Sequence, residues 1–258
     1  MFFTNLFESN LKVKHIAQRV IYYTVIDSTN DEIWSFYEQN NNEEKIIIIT
    51  DNQKEGKGRG HNTWFSKPGQ SITCSFLLDN IFTDNQFNLH AILIPVSIIT
   101  GIQKFLSINL GIKWPNDIMY NDKKLGGILI ESKKMNNKII LNVGIGINVN
   151  ESYEDFPEDL RNTSISLREI AGHPIQREPL LAFILNELDK MIDNRETKFL
   201  IDKWMEYCIH KNKPISFNKN NETITGIFKY INEFGQAVIN NDNDYRCYIY
   251  RSTYQPLN

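Results

Sequence analysis

The sequence predicts an α+β protein, in which helices cover a mixed, largely antiparallel sheet and a small β-barrel follows at the C-terminus. A meander of neighbouring strands over residues 117–150 indicates the antiparallel part of the sheet. From residue 213 onward, short strands separated by turn residues indicate the barrel. The chain has 258 residues, enough for one large and one small domain, which we place at 1–211 and 212–258.

The individual elements follow from local patterns. Residues 45–50 form a continuous apolar run, which is typical of a strand buried on both faces. Thr29 and Glu32 form a capping-box pattern that opens a helix. Helices are predicted over 29–39, 87–107, 164–171, 178–193 and 197–208. Strands are predicted over 20–26, 45–50, 71–78, 111–114, three segments of the meander, 215–217, 223–231, 237–240 and 245–250.

Composition excludes several classes of function. The formal net charge is −3, so the chain offers no broad basic face for duplex DNA. Three cysteines are scattered along the chain and predict a reducing compartment. The longest apolar stretch, 91–106, contains Pro95, Gln103 and Lys104, and we expect it to be too short and too polar to cross a membrane. With no targeting segment evident, the sequence predicts a cytoplasmic protein without a membrane partner.

Two polar segments have the chemistry of an anion site. Residues 56–64 alternate glycine with Lys57 and Arg59, so the backbone can approach a phosphate while cations surround it. Considered alone, this segment could equally be a mobile surface turn. In residues 113–117, a lysine, an asparagine and Asp117 follow a strand, and Asp117 is a candidate Mg²⁺ ligand. A polar strand end with a turn is the simpler interpretation of that segment.

Two glycine-containing strands complete the pattern. Lys124 precedes Gly126 and Gly127 at the start of a strand, which indicates close approach of another group to the backbone. Gly144 and Gly146 alternate before Asn148, which leaves a bare strand face able to accept a flat ring. A solvated hairpin lysine and a bulged core strand are the corresponding structural interpretations.

In this order the segments resemble the biotin–protein ligase family. The resemblance rests on Asp-Ser-Thr-Asn at 27–30, Gly-Lys-Gly-Arg at 56–59, Lys-Trp-Pro-Asn-Asp at 113–117, Lys-Leu-Gly-Gly at 124–127 and Gly-Ile-Gly-Ile-Asn at 144–148. It implies a class II synthetase-like catalytic domain and an SH3-like C-terminal domain. It also implies a reaction in which biotin and MgATP form biotinyl-5′-AMP and pyrophosphate, after which biotin passes to a lysine of a biotin carboxyl carrier domain. ATP and Mg²⁺ are then co-substrates, and no prosthetic group is expected.

The resemblance also assigns roles to residues of this chain. Lys124 and Arg59 match the catalytic cations. Residues matching the biotin site are Ser28, Thr29, Asn30, Gln53, Gly56, Lys57, Gly58, Arg59, Lys124, Gly126, Gly127 and Gly144. Residues matching the ATP and adenylate site are Lys57, Arg59, Trp64, Lys113, Asn116, Asp117 and Asn148, with Asp117 as the metal ligand.

The chain departs from the family pattern in its glycine-containing segment. Lys57 replaces an arginine, Asn62 replaces a third basic residue, and His61 stands where glycine is common. A lysine is a point charge without the planar fork of arginine. We therefore expect the adenylate to leak more readily than from a segment with three arginines.

Three further expectations concern partners and rivals. Ser28 follows only 27 residues, which leaves no room for an N-terminal winged helix, so we expect a ligase that does not bind DNA. The resemblance leaves open whether the protein is a monomer or a homodimer. A lipoate–protein ligase with the same acyl-adenylate chemistry is the nearest alternative, and a non-enzymatic biotin sensor is the rival from another class.

Overall fold

The computed structural model describes residues 1–40, 45–60, 62–135, 138–219, 222–241, 244–248 and 253–254. Parts of the sequence prediction lie outside these residues, namely His61, the predicted turns at 136–137 and 220–221, residue 242 of the turn predicted at 241–242, and the end of the last predicted strand at 249–250.

The helices and strands largely match the predicted ones. The α-helices are α1 Thr4–Asn10, α2 Thr29–Gln39, α3 His90–Phe105, α4 Leu167–Ala171, α5 Arg177–Asp193 and α6 Thr197–Tyr207. Two short 3₁₀ helices span Asp84–Leu89 and Tyr153–Asp155. The strands are β1 Arg19–Tyr23, β2 Ile46–Thr50, β3 Ile72–Asp79, β4 Gly111–Lys113, β5 Asp117–Tyr120, β6 Lys123–Met135, β7 Lys138–Ile147, β8 Pro214–Lys219, β9 Glu222–Ile231, β10 Ala237–Asn241, β11 Asp244–Tyr248 and β12 Thr253–Tyr254.

Two sheets organise the described strands. The large sheet has the order β1-β2-β3-β7-β6-β5-β4, and β12 pairs with the far end of β6. Its β1–β2 and β12–β6 pairs are parallel, and the others are antiparallel. This arrangement confirms the mixed, largely antiparallel sheet. The small sheet, β11-β10-β9-β8, is antiparallel, but its closure into a barrel stays a prediction.

The large sheet is covered on both faces. One core cluster contains Ile47 and Ile49 of β2 together with α3 and α5. The other contains Ile46 and Ile48 of β2 together with Ile33, Trp34 and Tyr37 of α2. Alternate side chains of one strand therefore enter different clusters, as the continuous apolar run of β2 predicts.

Several local predictions are wrong. Ser28, not Thr29, is the N-cap of α2, and its side chain makes no capping bond. The Thr29 hydroxyl contacts Gln53 and does not cap the helix. Helix α4 begins three residues later than predicted, after a capping box formed by Ser166 and Glu169. Helix α1 was not predicted at all, although its Phe7 is fully buried.

The apolar stretch that was expected to be too short to cross a membrane belongs to a longer helical segment. Asp84–Phe105 spans 22 residues and, by length and composition alone, is long and apolar enough to cross a membrane. However, 72% of its most apolar stretch is buried inside the protein, where α3 packs against α5 and α6. The structure therefore accounts for the apolar character of this segment as that of a core helix.

Candidate functional site

An open cavity of about 1020 Å³ lies over β3, β6 and β7, beside the start of α2 and the segment 56–64. Its lining includes most of the residues that the sequence singled out. Those residues are Thr29, Asn30, Gln53, Lys57, Gly58, Arg59, Trp64, Asn116, Asp117, Lys124, Gly127 and Gly144. The fold thus brings together segments that are separated by more than 100 residues.

Five predicted residues do not line this cavity. Ser28 is buried as the N-cap of α2, and Gly56 packs under the carbonyl of Trp64. Gly126 faces the carbonyl of Gly146 across the β6–β7 pair. Lys113 is exposed at the end of β4. Asn148 lines an adjoining cavity of about 90 Å³.

The segment 56–64, which we call the glycine loop, forms a short hairpin at the mouth of the cavity. Lys57 and Thr63 form an antiparallel bridge, and the Trp64 N–H donates to the Gly56 carbonyl at 2.8 Å. Among the described residues of this loop, 56–60 and 62–64, only Gly60, with φ of +69°, has the left-handed conformation that favours glycine. Gly58 is needed for close packing instead, because an added Cβ would lie 3.2 Å from the carbonyl oxygen of Asn62.

Both lysines at the cavity are paired with carboxylates. The Lys124 ammonium lies 2.6 Å from Asp117, and the Lys57 ammonium lies 2.5 Å from Asp31 in the first turn of α2. The backbone of Lys124 is held by the segment 163–165, through bonds of 2.7 Å from Lys124 N–H to the Thr163 carbonyl and 3.0 Å from Ile165 N–H to the Lys124 carbonyl. This positions the lysine side chain at the cavity wall.

The bare strand face predicted at Gly144 and Gly146 is covered by side chains of the protein. A Cβ on Gly146 would lie 2.5 and 2.8 Å from atoms of the Trp64 indole, and one on Gly144 would collide with the Asn30 amide. Gly146 does accept a flat ring, but it is the indole of Trp64, and Gly144 accepts the Asn30 amide. Trp64 lines both this cavity and the adjoining small one, as do Thr63 and Lys124. The indole N–H is buried without a hydrogen-bond partner among the described residues.

One end of the cavity carries hydrogen-bonding groups. The Gln53 side-chain oxygen accepts from the Thr29 N–H at 2.8 Å and lies 3.0 Å from the Thr29 hydroxyl. The Ser75 hydroxyl lies 2.7 Å from that of Thr29 and 2.6 Å from the Asn30 side-chain oxygen. Ser75 was not predicted, since it stands in an ordinary apolar strand without a motif of its own. Ser75 is fully buried, whereas neighbouring Cys74 lines the cavity, and burial raises the pKa of its thiol to about 12.

Lysine and arginine outnumber acids in the cavity wall. Lys57, Arg59 and Lys124 line it, and Asp117 is the one acidic residue among its described lining residues. Within the described part of the chain, no group of three or more histidine, cysteine, aspartate or glutamate residues could hold a metal ion. The charge therefore suits anionic ligands, while Asp117 suits a cation that brings most of its other ligands with it.

The small sheet also reaches the cavity. Phe217 of β8 and Thr223 of β9 contribute to its lining. The Phe217 ring packs edge-on against Trp114 and Tyr248, with ring centres 5.0 Å apart in both cases. Neither lining residue was predicted, because nothing in an alternating strand marks the one side chain that meets a distant site.

Comparisons with known proteins agree with this geometry. Residues 22–150 match the model of the biotin/lipoate A/B protein ligase family. The bifunctional ligase/repressor BirA of Bacillus subtilis is 34% identical over 206 residues, which cover 80% of this chain and 59% of that protein. The human biotin–protein ligase is 28% identical over 222 residues, covering 81% of this chain and 30% of that protein. The chain thus spans less than two thirds of the length of these relatives.

Solved structures show the same fold. Biotin protein ligase from Aquifex aeolicus, in complex with biotin and ATP, has a TM-score of 0.77 and 25% identity, covering 91% of this chain and 97% of that one. The Leishmania major enzyme in complex with biotinyl-5-AMP has a TM-score of 0.64 at 18% identity, covering 91% of this chain and 99% of that one. These likenesses confirm the predicted fold class.

Proposed function

Because the chain belongs to the biotin/lipoate A/B protein ligase family, we propose that it is an ATP-dependent biotin–protein ligase. The observation that carries the proposal is a single cavity in which cationic side chains, glycine backbone and a hydrogen-bonding end meet. The Aquifex aeolicus relative, described with biotin and ATP, supports the choice of ligands.

The proposed reaction has two steps. The biotin carboxylate attacks the α-phosphorus of ATP, pyrophosphate leaves, and biotinyl-5′-AMP forms. The amine of a carrier lysine then attacks the biotinyl carbonyl, loses a proton, and displaces AMP. The first step brings two anions together, so its barrier is lowered mainly by fixed positive charge and positioning. Lys124 and Arg59 supply that charge from the cavity wall.

The ion pair between Lys124 and Asp117 gives the first step a defined starting point. The Asp117 carboxylate lies 2.6 Å from the Lys124 ammonium, so it fixes the position of the lysine side chain. An incoming carboxylate or phosphate competes with Asp117 for the same ammonium. The lysine therefore exchanges one charge-assisted hydrogen bond for another instead of losing one.

The residues present fit a magnesium ion that arrives with the nucleotide. Mg²⁺ is commonly held by one or two carboxylates together with substrate phosphates and water, and Asp117 is the acidic residue in place for this. The ion would offset negative charge on the phosphates. The chain's own part is to present Asp117 next to Lys124, with Asn116 anchored through its 2.9 Å bond to the Ile128 carbonyl.

We assign the adenine end to the small cavity beside Asn148. The Asn148 amide donates to the carbonyls of Lys124 and Ile165, at 3.4 and 3.1 Å, which leaves its side-chain oxygen as the group for a purine amine. Trp64 lines both this cavity and the large one. Its indole is therefore placed beside the point where the two substrates would join.

The hydrogen-bonding end favours biotin over lipoate. Thr29, Asn30 and Gln53 present amide and hydroxyl groups there, and buried polar groups lose free energy when a ligand leaves them unpaired. The cyclic urea of biotin satisfies such groups, whereas the dithiolane ring of lipoate does not. A non-enzymatic sensor would need this end but not Lys124 or Asp117.

The partner proposed for the second step is a biotin carboxyl carrier domain. The test is mass spectrometry of such a domain after incubation with the full chain, biotin and MgATP. We expect one added biotinyl group with biotin, and no added lipoyl group when lipoate replaces biotin. Pyrophosphate release that depends on biotin separates an enzyme from a sensor, and we expect Lys124→Met to abolish it. An unmodified carrier together with no biotin-dependent pyrophosphate would contradict the proposal.

A further inference from the structure

A polar cluster lies behind the hydrogen-bonding end of the cavity, between α2 and the sheet. One carboxylate oxygen of Glu131 accepts from the side-chain N–H groups of Asn30 at 3.4 Å, Trp34 at 3.3 Å and Asn142 at 3.3 Å. Glu131 and Asn142 stand opposite each other in the β6–β7 pair, and Asn142 is fully buried. Of these four residues, Asn30 alone lines the cavity.

The Glu131 carboxylate determines which way the Asn30 amide points. An ionised carboxylate accepts hydrogen bonds and donates none, so the amide must turn its NH₂ group toward Glu131. The opposite orientation would place the Asn30 oxygen against the carboxylate. The Asn30 oxygen therefore faces Ser75, whose hydroxyl lies 2.6 Å away.

The orientation of the Asn30 amide in turn fixes the directions of the Ser75 and Thr29 hydroxyl hydrogens. A serine hydroxyl has one hydrogen, and the Asn30 oxygen can only accept, so the hydrogen of Ser75 is drawn toward Asn30. The 2.7 Å contact between the hydroxyls of Ser75 and Thr29 is then made with the hydrogen of Thr29. The other neighbour of that hydroxyl, the Gln53 oxygen at 3.0 Å, is also an acceptor. The single hydrogen of the Thr29 hydroxyl is therefore directed into the protein, to the shorter contact at Ser75, and a lone pair is left facing the cavity.

Gln53 offers the cavity a hydrogen-bond donor, in contrast to the acceptor at Thr29. Its side-chain oxygen is occupied by the Thr29 N–H at 2.8 Å, so its NH₂ group remains to donate. The cavity thus offers an acceptor at Thr29 and a donor at Gln53. A cyclic urea carries the complementary pair, namely ring N–H groups and a carbonyl oxygen.

We propose that Glu131 is a positioning residue that, acting through Asn30 and Ser75, holds Thr29 as an acceptor and so makes the site specific for a ligand N–H. The inference rests on the proposed function and deepens it. It predicts that the wild-type protein discriminates against a cyclic carbamate analogue of biotin in which a ring oxygen replaces the urea N–H that faces Thr29. Two acceptors would then meet in a desolvated site, and we expect about tenfold to a hundredfold weaker binding.

Variants that release the Asn30 amide or interrupt the relay should lose this discrimination. In Glu131→Met the amide is free to turn, and in Ser75→Ala the relay is broken, so the Thr29 hydroxyl can donate to the carbamate oxygen. We expect the biotin-to-carbamate affinity ratio to fall below about threefold in both variants. Glu131→Gln keeps an acceptor oxygen and should retain the wild-type ratio. Trp34→Phe removes another donor to Glu131 without releasing Asn30, and serves as the matched control.

The measurement is calorimetric binding of biotin, both regioisomeric carbamates and desthiobiotin to the full chain without ATP. Desthiobiotin keeps the urea, so its affinity relative to biotin should be the same in all variants, whereas general loosening of the site would change it. A wild-type ratio in Ser75→Ala, or a ratio in Glu131→Gln as low as in Glu131→Met, would overturn the inference. If Glu131→Met does not fold, Ser75→Ala and Glu131→Gln still decide. If the wild-type protein does not bind biotin, the proposed function fails first.

Discussion

Asp31 is expected to weaken the hold of the glycine loop on the adenylate, and replacing it should therefore slow the release of that intermediate. The Asp31 carboxylate lies 2.5 Å from the Lys57 ammonium, while Lys57 also lines the cavity. Part of the positive charge that the loop offers to a phosphate is thus neutralised by α2. In Asp31→Asn, the ammonium is free to pair with the adenylate phosphate.

The magnitude follows from the exposure of the pair. The side chains of Lys57 and Asp31 are 46% and 56% exposed, and such surface pairs contribute about 0.2–1 kcal/mol. If Lys57 gains a comparable interaction with the phosphate, release slows by up to about fivefold, since each 1.36 kcal/mol is a factor of ten. The effect should shrink in 1 M salt, where the screening length falls to about 3 Å.

The assay forms labelled biotinyl-5′-AMP on the protein by the proposed reaction and follows its loss after dilution into unlabelled adenylate. Glu38→Gln is the matched control, because Glu38 is an acid on the same helix that pairs with Lys133 at 2.9 Å, away from the loop. Asn62→Arg adds a cation to the loop and should slow release further. Equal release rates for wild type, Asp31→Asn and Asn62→Arg would refute the reasoning that loop charge limits retention.

Three further predictions concern the rest of the protein. Gly144→Ala should weaken biotin binding by tenfold or more in calorimetry, because the new Cβ displaces the Asn30 amide. It should also lower the free energy of unfolding in urea by about 1–3 kcal/mol, and an unchanged affinity would contradict this packing. Phe217→Ala should destabilise the protein by about 2 kcal/mol, since it removes two aromatic contacts. It should raise the KM for ATP more than that for biotin, because Phe217 packs on Trp114 in the segment 113–117 proposed for ATP; equal changes in both KM values would argue against a role of Phe217 at the ATP end. Burial lowers the pKa of His90 to about 4 from an ordinary 6.5, so below pH 6.5 the unfolded chain takes up a proton that the folded protein does not. His90 should therefore contribute about 3 kcal/mol to the fall in stability between pH 6.5 and 4, and urea unfolding of His90→Gln should show a correspondingly shallower fall; an unchanged pH dependence would contradict this.

Local patterns were sufficient for most of the fold. The apolar run of β2 predicted a strand buried on both faces, and turn residues between apolar segments predicted the meander. Both patterns could be recognised because each depends on residues that lie within a few positions of each other in the sequence. The predicted capping residue of α2 was wrong because a tertiary contact intervenes, although the predicted range of the helix was right. Thr29 looked like a helix cap, but its hydroxyl is engaged by Gln53, which lies 24 positions away.

Local patterns predicted only part of the candidate site. Lys57, Arg59 and Lys124 were recognisable because cations next to glycine are uncommon combinations with few structural uses. Ser75 and Glu131 were not, since a serine or glutamate in a strand has many ordinary roles. Their importance depends on which side chain of another strand or helix they meet.

By itself, the sequence determined the chemical inventory of this protein: its strand-forming and helix-forming segments, its glycine-backed cations and its resemblance to biotin–protein ligases. Only the tertiary structure decided how those groups are paired. It joined Lys124 to Asp117, placed Trp64 on Gly146, and set Glu131 behind Asn30. The physical reason is that secondary structure depends on neighbours in the chain, whereas the polarity and charge of a site depend on strand register and packing between distant segments.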